Sequence, residues 1–201
     1  MWCIKDEKIN ELVEQKSRFI AILKRVDDKN EVFPYLKQLQ ARYPKATHYC
    51  YAYKIEQEKR FQDDGEPSKT AGLPILNVLE TNQLDHILCV VIRYFGGIKL
   101  GTGGLVRTYT KAVTEALKSA DLIKLVPGQR WRLQFSYENQ AQIDYLLSGF
   151  SIHQKEYDIQ IYYEVDLPIS NSLFQNENLN RLLISKQLIN SILIEQKKIV
   201  H

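Results

Sequence analysis

The chain has 201 residues, 44% of them hydrophobic and 25% charged, with a formal net charge of +3; this balance excludes a disordered chain and suits one large or two small globular domains. Its three cysteines, Cys3, Cys50 and Cys89, are odd in number and form no CxxC, which argues against a zinc cluster or a disulfide framework and for a reducing, cytoplasmic setting. The start, MWCIKDEKINELVEQK, is charged throughout and lacks the apolar core of a signal peptide, and no apolar run approaches the ~20 residues of a membrane span.

SRFIAILKRV (17–26) reads as a strand. DDKNEVFPYLKQLQARYP carries Val32, Leu36 and Leu39 at helical spacing, with Asp27 or Asp28 placed to cap it and Pro44 just past its end. THYCYAYKI (47–55) is rich in β-formers. As a strand it puts His48, Cys50 and Ala52 on one face and Tyr49, Tyr51 and Tyr53 on the other. The polar stretch EQEKRFQDDGEPSK predicts a short third strand around Arg60 and Phe61, then a turn at Asp64 and Gly65. TAGLPILNVLET reads as a helix with Pro74 in its first turn, where proline is tolerated. HILCVVIRYF (86–95), almost unbroken in apolar residues, predicts a strand buried on both faces. Residues 103–120 read as a helix whose apolar stripe is Leu105, Val106, Tyr109, Ala112, Val113, Ala116 and Leu117.

Val126-Pro127-Gly128 punctuates the chain, so the expected boundary separates a domain of residues 1–127 from one of residues 128–201. The second part predicts a strand at RWRLQFSY (130–137), a helix at ENQAQIDYLLSG, and strands at IHQKEYDI and QIYYEVDLP. A helix over residues 174–183 and a last strand near INSILIEQKKIV complete it, although Asn171, Asn176, Asn178 and Asn180 are poor helix formers. β-α-β-β-α-β is the order of a ferredoxin-like sandwich, and the expected fold class is α+β in two domains.

The charge is uneven. Residues 1–127 hold 20 Lys and Arg against 16 Asp and Glu, whereas residues 128–201 hold 7 against 8. Within residues 93–118, Arg93, Lys99, Arg107, Lys111 and Lys118 oppose only Glu115. The same segment contains five of the nine glycines: Gly96, Gly97, Gly101, Gly103 and Gly104. A glycine loop between a buried strand and a helix can point backbone N–H groups at an anion. It is not a dinucleotide fingerprint, because Val106 stands where a GxGxxG read from Gly101 requires glycine. Nor is it a Walker A loop, because Thr102 stands where lysine is required. At about 100° per residue, Arg107, Lys111, Thr114 and Lys118 share a helix face, which Lys99 extends from the loop. Such a strip can track a nucleic-acid backbone, with Tyr94, Phe95 and Tyr109 as stacking surfaces. A tight crossover and a solvated helix face explain the same residues without any ligand.

QDDGEPSKTAG (62–72) brings Asp63, Asp64 and Glu66 into one turn beside Lys69. A functional reading makes them divalent-ion ligands or a general base, but the spacing is not that of an EF-hand. A structural reading makes Asp64-Gly65 a turn, gives the next helix a cap from Ser68 or Thr70, and pairs Glu66 with Lys69 or Arg93. His48 and Cys50, two apart on a strand, are too distant for a nucleophile pair, and His48 is expected to hydrogen-bond to the carboxylate turn. His86, His153 and His201 show no ligand spacing, and no catalytic signature is present. No catalytic residue, metal ligand or cofactor is assigned.

SRFIA (17–21), ATHYCYAY (46–53), DDGEPSKTAG (63–72) and RYFGGIKLGTGGLVRTYTKA (93–112), in this order, resemble the YigZ/IMPACT family over roughly residues 17–120. Lys69 stands where many members have glycine, which argues against a positive φ there, and Tyr49 where asparagine or histidine is common. The resemblance implies a first domain with the fold of ribosomal protein S5 domain 2, as in domain IV of elongation factor G. It implies a second, ferredoxin-like domain similar to domain V of that factor. In the eukaryotic relatives it implies regulation of translation, by competition for an activator of a stress-responsive initiation-factor kinase. It supplies no catalytic residues.

The expected function is that of a translation-linked regulatory binding protein, with RNA, the ribosome or a translation-associated protein as partner. Its interface would be Arg93, Gly96, Gly97, Lys99, Gly101, Gly103, Gly104, Arg107 and Lys111, with His48, Asp63, Asp64, Glu66 and Lys69 as a separate polar cluster. The alternative is an enzyme acting on a phosphorylated small molecule or nucleotide. It would hold its anion on the glycine loop and use the carboxylates of residues 63–66 as base or metal site, and so would need a pocket joining the two. A third class is a protein-interaction domain whose conspicuous blocks serve folding.

Overall fold

In the computed structural model, which describes residues 1–195, the chain divides into Met1–Lys124 and Leu125–His201. The first unit runs β1 (Trp2–Ile4), β2 (Lys8–Glu14), β3 (Ser17–Arg25), α1 (Val32–Arg42), β4 (His48–Ile55), β5 (Glu58–Gln62), α2 (Gly72–Thr81), β6 (Ile87–Tyr94) and α3 (Gly101–Lys118). Strands β2-β3-β6-β4-β5 form one antiparallel sheet with β6 at its centre. Because β6 is apolar on both sides, both faces of the sheet must be covered. Leu88, Val90 and Ile92 meet Val32, Tyr35 and Leu39 of α1. Cys89 and Val91 meet Ile75 and Leu79 of α2 and Leu105, Tyr109, Ala112 and Val113 of α3. Strand β4 splits as its alternation predicts, Tyr51 and Tyr53 facing α1 and Cys50 and Ala52 facing α2 and α3. Each fully buried aliphatic side chain contributes about 1.5–3 kcal/mol against the entropy of ordering the chain.

Three local features differ from what the residues predict. The charged N-terminal stretch, to which the sequence assigns no element, forms β1 and β2, and β2 pairs with β3 from Lys8 opposite Leu23 to Glu14 opposite Ser17. Its charges belong to an edge strand, where they oppose further pairing. The turn joining β2 to β3 has two residues, Gln15 and Lys16, both at positive φ (44° and 63°), the sense that matches the twist of a two-residue hairpin. Helix α3 starts at Gly101 rather than Gly103, and its buried stripe includes Thr108 but not Val106, which is exposed. Ahead of α1, Asp28 caps a short 3-10 turn reciprocally with Glu31; α1 itself starts from Glu31 without a side-chain cap, so the expected cap serves the turn and not the helix.

Strand β7 (Leu122–Phe135) starts at the end of the first unit and continues into the second, which goes on with α4 (Gln140–Leu146), β8 (Ser151–Tyr157), β9 (Ile161–Pro168), α5 (Glu177–Leu182) and β10 (Leu183–Glu195). Its strands lie antiparallel in the order β10-β7-β9-β8. Leu133, Phe135, Ile161, Tyr163, Val165 and Leu167 pack against Ile143, Leu147 and Leu179. Val126-Pro127-Gly128 does not interrupt the chain but lies inside β7. Pro127 sits just outside the ladder with β9, which begins at Gly128 opposite Pro168, a place where a strand tolerates proline. The expected helix over 174–183 shortens to six residues, because the Asn176 side chain accepts from the N–H groups of Asn178 and Leu179 and caps the helix there. Of the expected last strand, residues 196–200 lie outside the described residues, as does His201. Among the described residues no helix is long and apolar enough to cross a membrane.

Gly96 is fixed by packing. A Cβ there would lie 2.0 Å from the Lys16 carbonyl and 2.4 Å from Ser17 N. At Gly103 the nearest atom would be the movable Arg107 Nη1, at 3.5 Å. Gly96→Ala should therefore lower the urea-unfolding free energy by at least about 2–3 kcal/mol. Gly103→Ala should leave it unchanged or raise it by up to about 1 kcal/mol.

Candidate functional site

Arg93, near the end of β6, is only 4% exposed. A guanidinium keeps its charge, so burial obliges it to find partners. Its Nη1 donates to Glu66 Oε1 at 2.5 Å and its Nη2 to Ser17 Oγ at 3.4 Å. The rings of Phe19 and Phe95 lie 5.2 and 5.4 Å from its Cζ. Tyr109 of α3 donates to the same Glu66 oxygen at 2.8 Å and touches Cys50 Sγ at 3.3 Å. The Cys50 thiol donates to the Asp63 carbonyl at 2.9 Å. His48 places Nδ1 2.7 Å from the Asp64 carbonyl and Nε2 3.9 Å from Glu66 Oε1. A carbonyl can only accept, so Nδ1 carries the proton. His48 thus bonds to the turn as expected, through its backbone rather than a carboxylate, and not to Cys50.

Two expectations are corrected here. Arg93 does not belong to an exposed anion-binding strip: it is buried, paired with Glu66 and out of reach of a surface polyanion. Tyr109 is fully buried and offers no stacking surface. Burial first, then Cys50 and Glu66 beside it, push the Tyr109 hydroxyl far above its ordinary pKa. Burial does the same to the thiols of Cys50 and Cys89 and pushes Cys3 up to about 11. These thiols stay protonated at neutral pH and are unsuited to nucleophilic work.

The acidic turn is held from within. The Asp63 carboxylate accepts from the backbone N–H groups of Lys69 (2.7 Å), Ala71 (3.0 Å) and Gly72 (2.8 Å). It therefore caps α2, a task the sequence reading gave to Ser68 or Thr70; Thr70 Oγ1 instead donates to the Pro67 carbonyl at 2.6 Å. Asp64 Oδ2 accepts from Tyr49 N at 2.6 Å. Lys69 does adopt a positive φ, 62°, and its bond to Asp63 offsets the strain of a Cβ in that region. Of its two expected partners, Glu66 takes Arg93.

The exposed part is separate. Gly97, Lys99, Gly101, Gly103, Arg107 and Lys111 face solvent, with Gly104 half-buried. Lys111 Nζ lies 3.7 Å from Glu14 Oε2, and Lys118 pairs with Glu115 at 2.8 Å. Arg107 has no carboxylate partner among the described residues. A cleft of about 280 Å³ opens here. Leu100, Gly104, Arg107, Thr108 and Lys111 line one side, and Glu14 and Gln15, from β2 and its turn, line the other. None of residues 63–66 lines it. Glu14 and Gln15 carry no motif; only the hairpin pairing of β2 with β3 brings them to the site.

Removing Glu66 would strand a buried guanidinium, which costs about 3–5 kcal/mol. Glu66→Ala should lose that much in urea unfolding, and the double variant Glu66→Leu with Arg93→Met should recover most of it. Alkaline pH supplies a second check. The folded chain keeps protons on Cys50, Cys89, Cys3 and Tyr109 where the unfolded chain releases them. Stability therefore falls as pH rises past the unfolded values, about 8.5 for thiols and about 10 for tyrosine, by about 1.4 kcal/mol per pH unit per group. Urea unfolding between pH 7 and 10.5 should show this decline, and Cys89→Ala should make it shallower.

Residues 15–117 match the Impact N-terminal domain. Over 166 residues the chain is 36% identical to the IMPACT family member YvyE of Bacillus subtilis (strain 168), a match covering 80% of this chain and 76% of that one. Over 161 residues it is 35% identical to the IMPACT family member YigZ of Escherichia coli (strain K12), covering 77% and 79%. A crystal structure of a hypothetical protein covers 94% of this chain and 95% of its own, with 31% identity and a TM-score of 0.65. The matched domain holds the whole polar cluster, the glycine loop and the basic face of α3 as far as Leu117. By sequence over most of its length, and by the domain that carries these residues, the chain belongs to the IMPACT family.

Proposed function

We propose that the protein is a translation-linked regulatory binding protein that engages RNA, free or in the ribosome, through the glycine loop and the exposed face of α3. The observation that carries this is the cleft where Arg107 and Lys111 stand beside Gly104, solvent-facing and one helical turn apart. Two cations at that spacing suit successive oxygens of a polyanion. Lys99 adds charge from the loop. Family membership adds the translation link, since the eukaryotic relatives implied by the resemblance act there.

Within this reading the first unit is S5 domain 2-like. The second, with its strand order β10-β7-β9-β8 and alternating helices, is ferredoxin-like. Both are folds of ribosomal or elongation-factor domains. The setting is cytoplasmic, in keeping with three free cysteines. The enzyme alternative finds less support: Asp63 and Asp64 are engaged by backbone N–H groups, and residues 63–66 do not line the cleft.

Filter binding of the full chain to a structured RNA, between 50 and 200 mM salt, tests the proposal. Replacing Arg107 and Lys111 together by alanine should weaken binding at low salt. It should also reduce the slope of log K against log salt by about 1.5–2, the share of two lost phosphate contacts. Unchanged affinity and slope would place the interface elsewhere.

A further inference from the structure

A face built only to follow phosphates has no use for a carboxylate, yet Glu14 lines the same cleft as Arg107 and Lys111. Its Oε2 lies 3.7 Å from Lys111 Nζ, with both side chains about half exposed. Such a pair is weak, so a ligand donor can take the place of the lysine at little cost. Gln15 beside it brings an amide with both donor and acceptor capacity. The two are held at the end of β2 by the left-handed two-residue turn, whose Lys16 backbone packs against Gly96. Phe95, the residue before Gly96, is 46% exposed. The cleft, at about 280 Å³, lies just below the usual range of ligand pockets, about 300–1,000 Å³. It admits one nucleoside-sized unit, not a duplex.

We propose that the cleft takes a single unpaired guanine nucleotide of an RNA, with its phosphate on Arg107 and Lys111 and its base edge on Glu14. This rests on the RNA-binding reading above and goes beyond it in naming the base. A carboxylate offers two adjacent acceptors. Guanine alone answers with two adjacent donors on its pairing edge, N1–H and the exocyclic amino group. Adenine and cytosine set one amino group beside an acceptor nitrogen, and uracil sets one N–H between two carbonyls. Each of these turns a lone pair on the second carboxylate oxygen. Unpaired bases expose that edge to side chains. The Gln15 amide can donate to guanine O6.

The test is fluorescence anisotropy of the full chain with labelled eight-nucleotide oligouridines, either plain or carrying one central guanosine, adenosine or cytidine. The guanosine oligonucleotide should bind about tenfold tighter than the others, the discrimination of one good bidentate contact. Glu14→Gln, at a half-exposed position, should abolish that preference and bring the guanosine oligonucleotide to the level of the other three. Arg107→Ala should weaken all four by a common factor. If the unaltered chain shows no guanine preference, or Glu14→Gln tightens all four equally, Glu14 only repels phosphate and base reading is wrong, while RNA binding stands. Structured RNA binding without any oligonucleotide binding also overturns it. If no RNA of either kind binds, this inference falls together with the reading beneath it.

Discussion

The first unit depends on the buried ion pair between Glu66 and Arg93. One oxygen of Glu66 receives both the guanidinium from β6 and the hydroxyl of Tyr109 from α3. Ser17 ties β3 to the same guanidinium, and Cys50 and His48 tie β4 to the turn that carries Glu66. Three strands, a helix and a turn thus converge on one ion pair and its immediate neighbours. A pair of this kind is weak evidence for stability, since two well-packed apolar residues can replace it at little cost. What apolar residues cannot supply is direction. Each bond here fixes a particular side chain to a particular neighbour, so the cluster sets where the turn at residues 63–72 meets the sheet and where the middle of α3 rests on it.

The glycine loop divides along the same line between scaffold and surface. Gly96 lies against the backbone of Lys16 and Ser17, and its N–H donates to Ser17 Oγ at 3.1 Å. That glycine belongs to the buried cluster. Gly103 meets only the tip of Arg107, and no packing demand accounts for it. The loop therefore passes from a place where glycine is required by contact to one where it leaves backbone bare beside two cations. A single glycine-rich motif carries two unrelated constraints.

Much of this was legible in the residues. Strand β6 announced itself by its unbroken apolar run, β4 by alternation, and α3 by its stripe. The pairing of Glu66 with Arg93 was among the expected arrangements. Other features were hidden for physical reasons. An edge strand needs only one apolar face and carries charge, so β2 shows no clear strand signal. Arg93 reads as a surface cation because arginine usually is one; only the opposing carboxylate, 27 positions away in sequence, makes its burial possible. Asp63 caps a helix nine residues on, beyond the reach of local capping rules. The positive φ of Lys69 depends on the same carboxylate, through its other oxygen. Glu14 and Gln15 enter the cleft only through strand pairing, which no short motif records.

The two-residue turn at Gln15 and Lys16 joins the two parts of the site. Glu14, on one side, lines the cleft; Ser17, on the other, is bonded to Arg93 and to Gly96. Between them there is no slack. Insertion of one residue would have to be absorbed as a bulge or would turn either Glu14 or Ser17 to the opposite face of its strand. Surface hairpins are usually where protein families gain and lose residues most freely. In this chain the hairpin has little freedom to change length, and lineages that share the buried cluster should keep its length.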